Sequence, residues 1–289
     1  MLRSAPLIVT LILAASLAFA QPPGENRIVS ESTARAIVER AIKAHGGDVK
    51  MSRARLVHLK LRAKVVLPPD SEAPFNLEVT CQLPDKYRSV MVTNFQGVDI
   101  VRTVIINGDK GWVTTNGQGK ELTAKEINEA REQMYAENVM RLITLRESDY
   151  QLKEMDEVKI ENRPIQVVNV ARKGHRDVNL YFDKQTGLLA KMEHVIQDYQ
   201  AKESSQEVLF MNYRETNGPK HWGRIVVLNN HNRIFEAEIA EVRFPERLDD
   251  RLFQKPPEIK PEKPKASQKD KPSDGKPQDP SAKPGMNKN

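Results

Sequence analysis

Cysteine and histidine, which serve as zinc ligands and as a nucleophile and its base, are few and scattered along the chain. The sequence holds one cysteine, Cys81, and six histidines: His45, His58, His175, His194, His221 and His231. No two histidines have the HxH or HExxH spacing that brings two imidazoles to one side of a strand or helix toward a metal ion. The histidine pattern therefore predicts no metal site.

The common catalytic and nucleotide-binding motifs are missing from the sequence, which contains no GxSxG elbow, P-loop or GxGxxG segment. Cys81 lies on the apolar side of the alternating segment 75–83, which predicts a buried small hydrophobic residue rather than a reactive thiol. A cysteine nucleophile also needs a partner base, and the position of such a base relative to Cys81 cannot be read from the sequence. We therefore predict a protein that is not an enzyme and needs no cofactor. A hydrolase that uses Cys81 is the remaining catalytic alternative.

The first twenty residues predict export. Arg3 precedes an apolar stretch at 7–17, and Ala18-Phe19-Ala20 has the small-x-small pattern of a signal-peptidase site. The apolar stretch is shorter than the ~20 residues that a transmembrane helix needs. We expect a signal peptide at 1–20, a short leader at 21–29 and a periplasmic or secreted protein that is soluble, with no transmembrane segment, after cleavage. An uncleaved N-terminal anchor is the alternative.

The last part of the chain, residues 254–289, differs in composition from the rest. It contains eight of the eighteen prolines and nine lysines against five acidic residues. A segment with so little apolar surface predicts a disordered Lys/Pro-rich tail. This tail is either a solvated spacer or a weak attachment to an anionic polymer or an envelope protein.

The charge distribution argues against nucleic-acid binding. Of the formal charge of +6, Arg3 contributes +1 and the tail contributes +4, so the remainder carries only +1. A domain that binds nucleic acid is expected to present a basic face of its own.

Residues 30–253 predict one domain of the α+β class, mainly antiparallel β. A helix is expected from Ser30 or Ser32 to the glycines at 46–47, because glycine readily takes the left-handed conformation that ends a helix. Apolar and polar residues then alternate in short segments separated by turn signals, which indicates antiparallel strands. A second helical segment, 124–147, interrupts them after a capping-box pattern at Thr123 and Glu126, and it could consist of two helices.

Several segments together resemble the outer-membrane lipoprotein-sorting, or LolA-like, superfamily. They are a helix that ends in Ala44-His45-Gly46-Gly47, the β-meander, the mid-chain helical insertion, the sequence YFDKQTGLL at 181–189 and the closing sequence LFQKP at 252–256. The YFD-x-x-TGLL pattern is the most specific of them. The resemblance implies an incomplete, half β-barrel wrapped around helices, with an apolar cavity. Members of the superfamily ferry lipoprotein acyl chains across the periplasm or sense lipoproteins and envelope stress.

We therefore expect an exported envelope protein that binds a lipid, a lipoprotein acyl chain or another hydrophobic ligand in a half-barrel cavity, with lipoprotein sorting as one such role. Strand parity and helix spacing predict eight cavity residues: Leu59, Leu61, Leu77, Val79, Met91, Trp112, Met134 and Met140. Ordinary core packing is the alternative for the methionines and for Trp112. The alternative function is a non-catalytic interaction or structural module that the basic tail tethers in the envelope.

Overall fold

A computed structural model describes residues 31–67, 71–197, 202–216 and 218–257 of the 289-residue chain. The predicted signal peptide, the leader and all but the first four residues of the predicted tail lie outside these ranges. The boundaries of the signal peptide, leader, domain and tail therefore stay predictions.

The described residues form one antiparallel sheet of thirteen strands in the order β6-β5-β4-β3-β2-β1-β13-β12-β11-β10-β9-β8-β7. Each half is a meander, and the pairing of β1 with β13 joins the two halves. The strands are β1 (Leu56–Leu67), β2 (Ser71–Gln82), β3 (Lys86–Phe95), β4 (Val98–Asn107), β5 (Lys110–Thr115), β6 (Gln118–Glu121), β7 (Tyr150–Ile160), β8 (Arg163–Arg172), β9 (Val178–Asp183), β10 (Leu189–Gln197), β11 (Glu203–Met211), β12 (Arg224–Asn229) and β13 (Asn232–Arg243).

The sheet does not close into a barrel, because β6 and β7 are its two edges. Three α-helices accompany it in the described ranges: α1 (Glu31–Ala44), α2 (Gly47–Arg53) and α3 (Ala124–Val139). This open sheet with helices confirms the predicted α+β, half-barrel fold class.

The alternation of side chains along the strands gives the sheet an apolar side and a charged side. On β1, Leu61 and Ala63 are buried on the side of the helices, while Lys60 and Arg62, which alternate with them, are exposed. The charged side, which we call the outer face, carries cross-strand ion pairs, such as Lys60 with Glu241 at 2.9 Å. The helices therefore cover only one side of the sheet, the side that period-two alternation makes apolar.

Two packed clusters fill most of the space beneath the sheet. The first, which we call the helix core, joins α1 and α3 to strands β7–β11; its α1 members recur at the spacing of one helix face, namely Ala34, Ile37, Val38, Ala41 and Ile42. The second, the sheet core, lies where the first and last strands pair, and its buried members are Leu61, Ala63, Val79, Ala237 and Ile239. The half-barrel interior is therefore mostly occupied by side chains.

The helical segments match the predicted signals at their ends. Gly46 and Gly47 have φ of 116° and 78°; His45 and Gly46 separate α1 from α2, a short helix that begins at Gly47 and that the sequence pattern did not predict. Thr123 and Glu126 form the expected capping box at the start of α3. The segment expected at 124–147 breaks at Leu142, where φ is 64°, and continues as a 3-10 turn, Ile143–Arg146.

The sequence YFDKQTGLL forms the turn between β9 and β10. The Asp183 carboxylate accepts hydrogen bonds from the backbone N–H groups of Gln185 and Thr186 at 3.0 and 2.8 Å and from the Thr186 hydroxyl at 3.1 Å. Gly187 has φ of 73°, and a Cβ placed on it would lie 3.1 Å from Ala44 Cβ at the end of α1. The motif is therefore a structural turn that docks closely against the first helix.

The close approach of this turn to α1 predicts that Gly187→Ala destabilises the protein more than Gly174→Ala does. Both glycines have positive φ, but nothing lies within 4 Å of a Cβ at Gly174. Both variants therefore carry the cost of an alanine at positive φ. Only Gly187→Ala also overpacks its surroundings, which typically costs about 1–3 kcal/mol. Urea denaturation of both variants should show this difference in the free energy of unfolding. Equal losses would show that the turn yields freely to a side chain.

Candidate ligand-binding cavity

A cavity of about 150 Å³ lies between the helix core and the sheet core. One wall is the apolar side of β11 and of β1, β2 and β13, which we call the seam strands because they lie at the β1–β13 pairing. Its lining residues are Val57, Leu59, Val79, Cys81, Phe210, Ile239 and Val242. Trp222 packs against both cores and also lines the cavity. The cavity is thus the space that remains where the two clusters do not merge.

The opposite wall comes from the ends of helices and from one loop. Met51 of α2 and Glu137, Met140 and Arg141 at the end of α3 line it. The loop residues 214–216 and 218–223 complete this wall, and they supply Pro219, Lys220, His221 and Trp222. This loop is tied to the helical layer, since the Lys220 N–H donates to the His45 carbonyl at 2.8 Å and Lys50 pairs with Glu215.

The Arg141 guanidinium fixes the end of α3 against β2. It donates to the Arg55 carbonyl at 2.9 Å and to Cys81 Sγ at 3.4 Å. Burial raises the pKa of Cys81 to about 11, so the thiol is neutral near pH 7. The structure therefore confirms Cys81 as a buried small side chain, and its low thiolate content argues against the Cys81 hydrolase.

Glu137 is the acidic residue of the cavity lining. Burial raises the pKa of its carboxyl from 4.5 to about 7, and the nearby Arg141 cation opposes this shift only in part. The carboxyl has no hydrogen bond or ion pair with any residue in the described part of the chain. Glu137 keeps part of its surface accessible, so water or a ligand in the cavity must supply the hydrogen bonds that the described residues do not.

The two histidines of the lining differ in how their polar atoms are satisfied. His45 Nδ1 lies 2.8 Å from the Ala41 carbonyl, and burial lowers the pKa of this histidine. His221 Nδ1 lies 2.9 Å from the Trp222 carbonyl, while its Nε2 is buried without a hydrogen-bond partner among the described residues. Because a carbonyl can only accept, Nδ1 of each ring is the donor, and Nε2 of a neutral His221 is left as an acceptor.

Of the eight predicted cavity residues, Leu59, Val79 and Met140 line the cavity. The other five lie outside its lining. Leu61 and Leu77 belong to the sheet core, Met91 and Met134 are buried elsewhere, and the half-buried Trp112 donates to Glu121 at 3.3 Å. A role for any of the eight in ligand binding stays a prediction.

Several lining residues were not among those predicted. Val57 and Cys81 share the strand parity of Leu59 and Val79, so the alternation alone could have indicated them. Glu137 and His221 carry no sequence signal for a cavity position, because one lies in a helix that is polar on several sides and the other in a loop. The polar part of the site therefore comes from tertiary packing alone.

Among residues 31–67, 71–197, 202–216 and 218–257, no group of three or more histidine, cysteine, aspartate or glutamate side chains is arranged to hold a metal ion. Across the same ranges, every helix is too short or too polar to span a bilayer.

The raised pKa of Glu137 predicts a pH-dependent gain in stability from Glu137→Gln. Between about pH 4.5 and pH 7 the unfolded chain releases this proton while the folded chain retains it, so the unmodified protein loses stability as pH rises through that window. Arg141, Cys81 and Tyr87 are the ionisable neighbours that interact with the carboxyl. At about 1.4 kcal/mol per pKa unit, the variant should gain up to about 3 kcal/mol over the unmodified protein between pH 4 and pH 8.

Urea denaturation at pH 4 and pH 8 checks this expectation. Glu238→Gln is the matched control, because Glu238 is exposed on the outer face, opposite Arg62 in the β1–β13 register. The control should leave the difference in unfolding free energy nearly constant with pH. A constant difference for Glu137→Gln as well would show that the carboxyl stays solvated in the folded protein.

Comparison with known proteins finds similarity at the level of structure. No protein-family model and no curated sequence matches the chain. A LolA superfamily protein from Nitrosomonas europaea superposes with a TM-score of 0.51 at 12% identity, over 77% of this chain and 97% of that one. An outer membrane lipoprotein-sorting protein domain from Vibrio parahaemolyticus gives 0.48 at 11% identity, over 78% and 97%. This chain therefore has the open half-barrel fold of the LolA superfamily.

Proposed function

We propose that this protein is a non-enzymatic envelope protein that binds a lipid, a lipoprotein acyl chain or another hydrophobic ligand in the cavity between its two cores. The observation that carries the proposal is the cavity of about 150 Å³, which has mainly apolar walls from both halves of the sheet and from the helix ends. Lipoprotein sorting is the narrower form of the proposal, and it draws on the likeness of fold alone.

The apolar walls of this cavity are a favourable environment for an acyl chain. The cavity opens in part to solvent, so water wets its walls when no ligand is bound. An acyl chain that displaces this water gains about 0.8 kcal/mol for each buried methylene group. Binding would thus need no covalent chemistry.

The elements around the cavity suit ligand entry. One end of α3 forms part of the lining, while other α3 residues are held to the second half of the sheet by ion pairs, including Glu129 with Arg176 at 2.7 Å and Glu132 with His175 at 2.9 Å. Such contacts near the surface contribute little stability individually. Because Ala136 and Val139 at the end of α3 belong to the helix core, ligand entry would need a displacement of residues 218–223 rather than of the helix.

The second candidate function is an interaction module whose tail tethers it to an envelope protein or an anionic polymer. Its support is the composition of residues 254–289, nine lysines and eight prolines, and the two unpaired edges of the described sheet, β6 and β7. Deletion of the tail would abolish partner capture under this function and leave binding of a hydrophobic probe unchanged under the first.

The cavity hypothesis predicts that Val79→Phe blocks uptake of a neutral hydrophobic probe. Val79 lines the cavity, and the larger ring would occupy much of its volume. N-phenyl-1-naphthylamine, whose fluorescence rises in apolar surroundings, should bind the full chain saturably and bind the variant at least tenfold more weakly. Val101→Phe, on a valine that is 39% exposed on β4, is the matched control and should bind the probe normally.

Native mass spectrometry of the full chain, purified from its own envelope without detergent, identifies the natural ligand. We expect an adduct that organic solvent releases as a lipid or an acylated peptide. An apo mass, together with no saturable binding of the probe, would reject the cavity hypothesis in favour of the interaction module. Thermal denaturation of both phenylalanine variants separates lost binding from lost folding.

A further inference from the structure

We propose that the cavity takes amphiphiles whose polar end carries a hydrogen-bond donor, a hydroxyl or a primary amine, and that Glu137 accepts this donor. The inference rests on the proposed function, because it specifies the ligand of the same cavity. It is drawn from two acceptors of the lining to which the described part of the chain donates no hydrogen bond.

Glu137 is the first of these acceptors. It lies one turn before Arg141 at the end of α3, and its carboxyl lacks a hydrogen-bond partner in the described part of the chain. Its residual accessible surface is consistent with a position on the cavity wall. A ligand that donates to this carboxyl would supply the partner that the protein does not, and a hydrogen bond to a charged group is among the stronger kinds.

His221 Nε2 is the second acceptor. The ring lies in the loop on the opposite wall from the seam strands, and its Nδ1–H is used by the Trp222 carbonyl. Nε2 is buried and has no hydrogen-bond partner within the described ranges. A buried polar atom without a partner typically costs about 1–3 kcal/mol. A ligand would reach Nε2 only if the ring turned toward the cavity, so Glu137 is the acceptor that is already accessible there.

The two cations of the lining could instead favour an anionic head group, and the contacts argue against this. The Arg141 guanidinium already donates to the Arg55 carbonyl at 2.9 Å and to Cys81 Sγ at 3.4 Å. Lys220 lies on a loop and is partly exposed, so its ammonium can remain in water while its stem covers apolar surface. An anion placed near Glu137 would be repelled by the ionised carboxylate and would leave both acceptors unsatisfied.

A series of ligands with the same decyl chain and different head groups tests the proposal. 1-Decanol and decylamine carry donors, decyltrimethylammonium is a cation without a donor, and decanoate is an anion. Each is measured at pH 8, below its critical micelle concentration, by displacement of N-phenyl-1-naphthylamine from the full chain. We expect the two donor ligands to bind at least tenfold more tightly than the other two, as a charge-assisted hydrogen bond allows.

Variants assign the preference to Glu137. Glu137→Met should reduce the ratio between donor and non-donor ligands at least fivefold while the neutral probe still binds. Glu238→Met makes the same change on the exposed outer face and should leave the ratio intact. If the methionine variant does not fold, Glu137→Gln serves instead, because it preserves shape and removes the charge that strengthens the bond to decylamine.

The possible results separate this inference from the proposed function. Equal binding of all four ligands, or tighter binding of decanoate, would overturn the donor preference and leave the hydrophobic cavity standing. Binding of decyltrimethylammonium as tight as that of decylamine would show selection by charge alone and would also overturn the donor preference. Failure of the neutral probe and of every decyl compound to bind would reject the cavity function itself.

Discussion

The pairing of β1 with β13 is the constraint on which the rest of the structure depends. It joins two meanders that each contain only local strand contacts into one continuous sheet. Leu59 lies opposite Val242 and Leu61 opposite Ile239 across this seam, so the apolar sides of the first and last strands face the same space. Without the seam there would be no sheet core and only one wall of the cavity.

The position of the cavity follows from how the two halves are filled. In the second half, α1 and α3 bring enough apolar surface to pack most of the apolar side of strands β7–β11, with Val168, Leu180 and Phe182 fully buried. Around the seam, the sheet is covered by helix ends and by residues 218–223. Helix ends carry polar side chains and leave gaps between them, which explains why an apolar space and partnerless polar atoms occur together.

The sequence predicted the elements well because their signals are local. The capping box at Thr123, the glycines at 46–47 and the period-two alternation on β1 each specify backbone geometry within a few residues, and the structure confirms them. A sequence does not distinguish a bulge from a strand break, and β7 contains such an irregularity between Met155 and Val158.

The site was harder to predict because parity tells which side a residue faces and not what covers it. Leu59 and Leu61 have the same parity on the same strand, yet one lines the cavity and the other is packed in the sheet core. Glu137 and His221 gain their meaning only from burial by distant segments, which no short sequence window contains. Local patterns thus define the sheet, and packing between remote segments defines the cavity.

The seam also has a consequence for how the protein is made. Its two strands are separated by almost the entire domain, so their contacts have high sequence separation, and such pairings form late and slowly in folding. During synthesis in the N-to-C direction, β1 must wait for β13 to emerge from the ribosome. The cavity would then be completed last, and a nascent chain could not retain a ligand before its final strand had emerged.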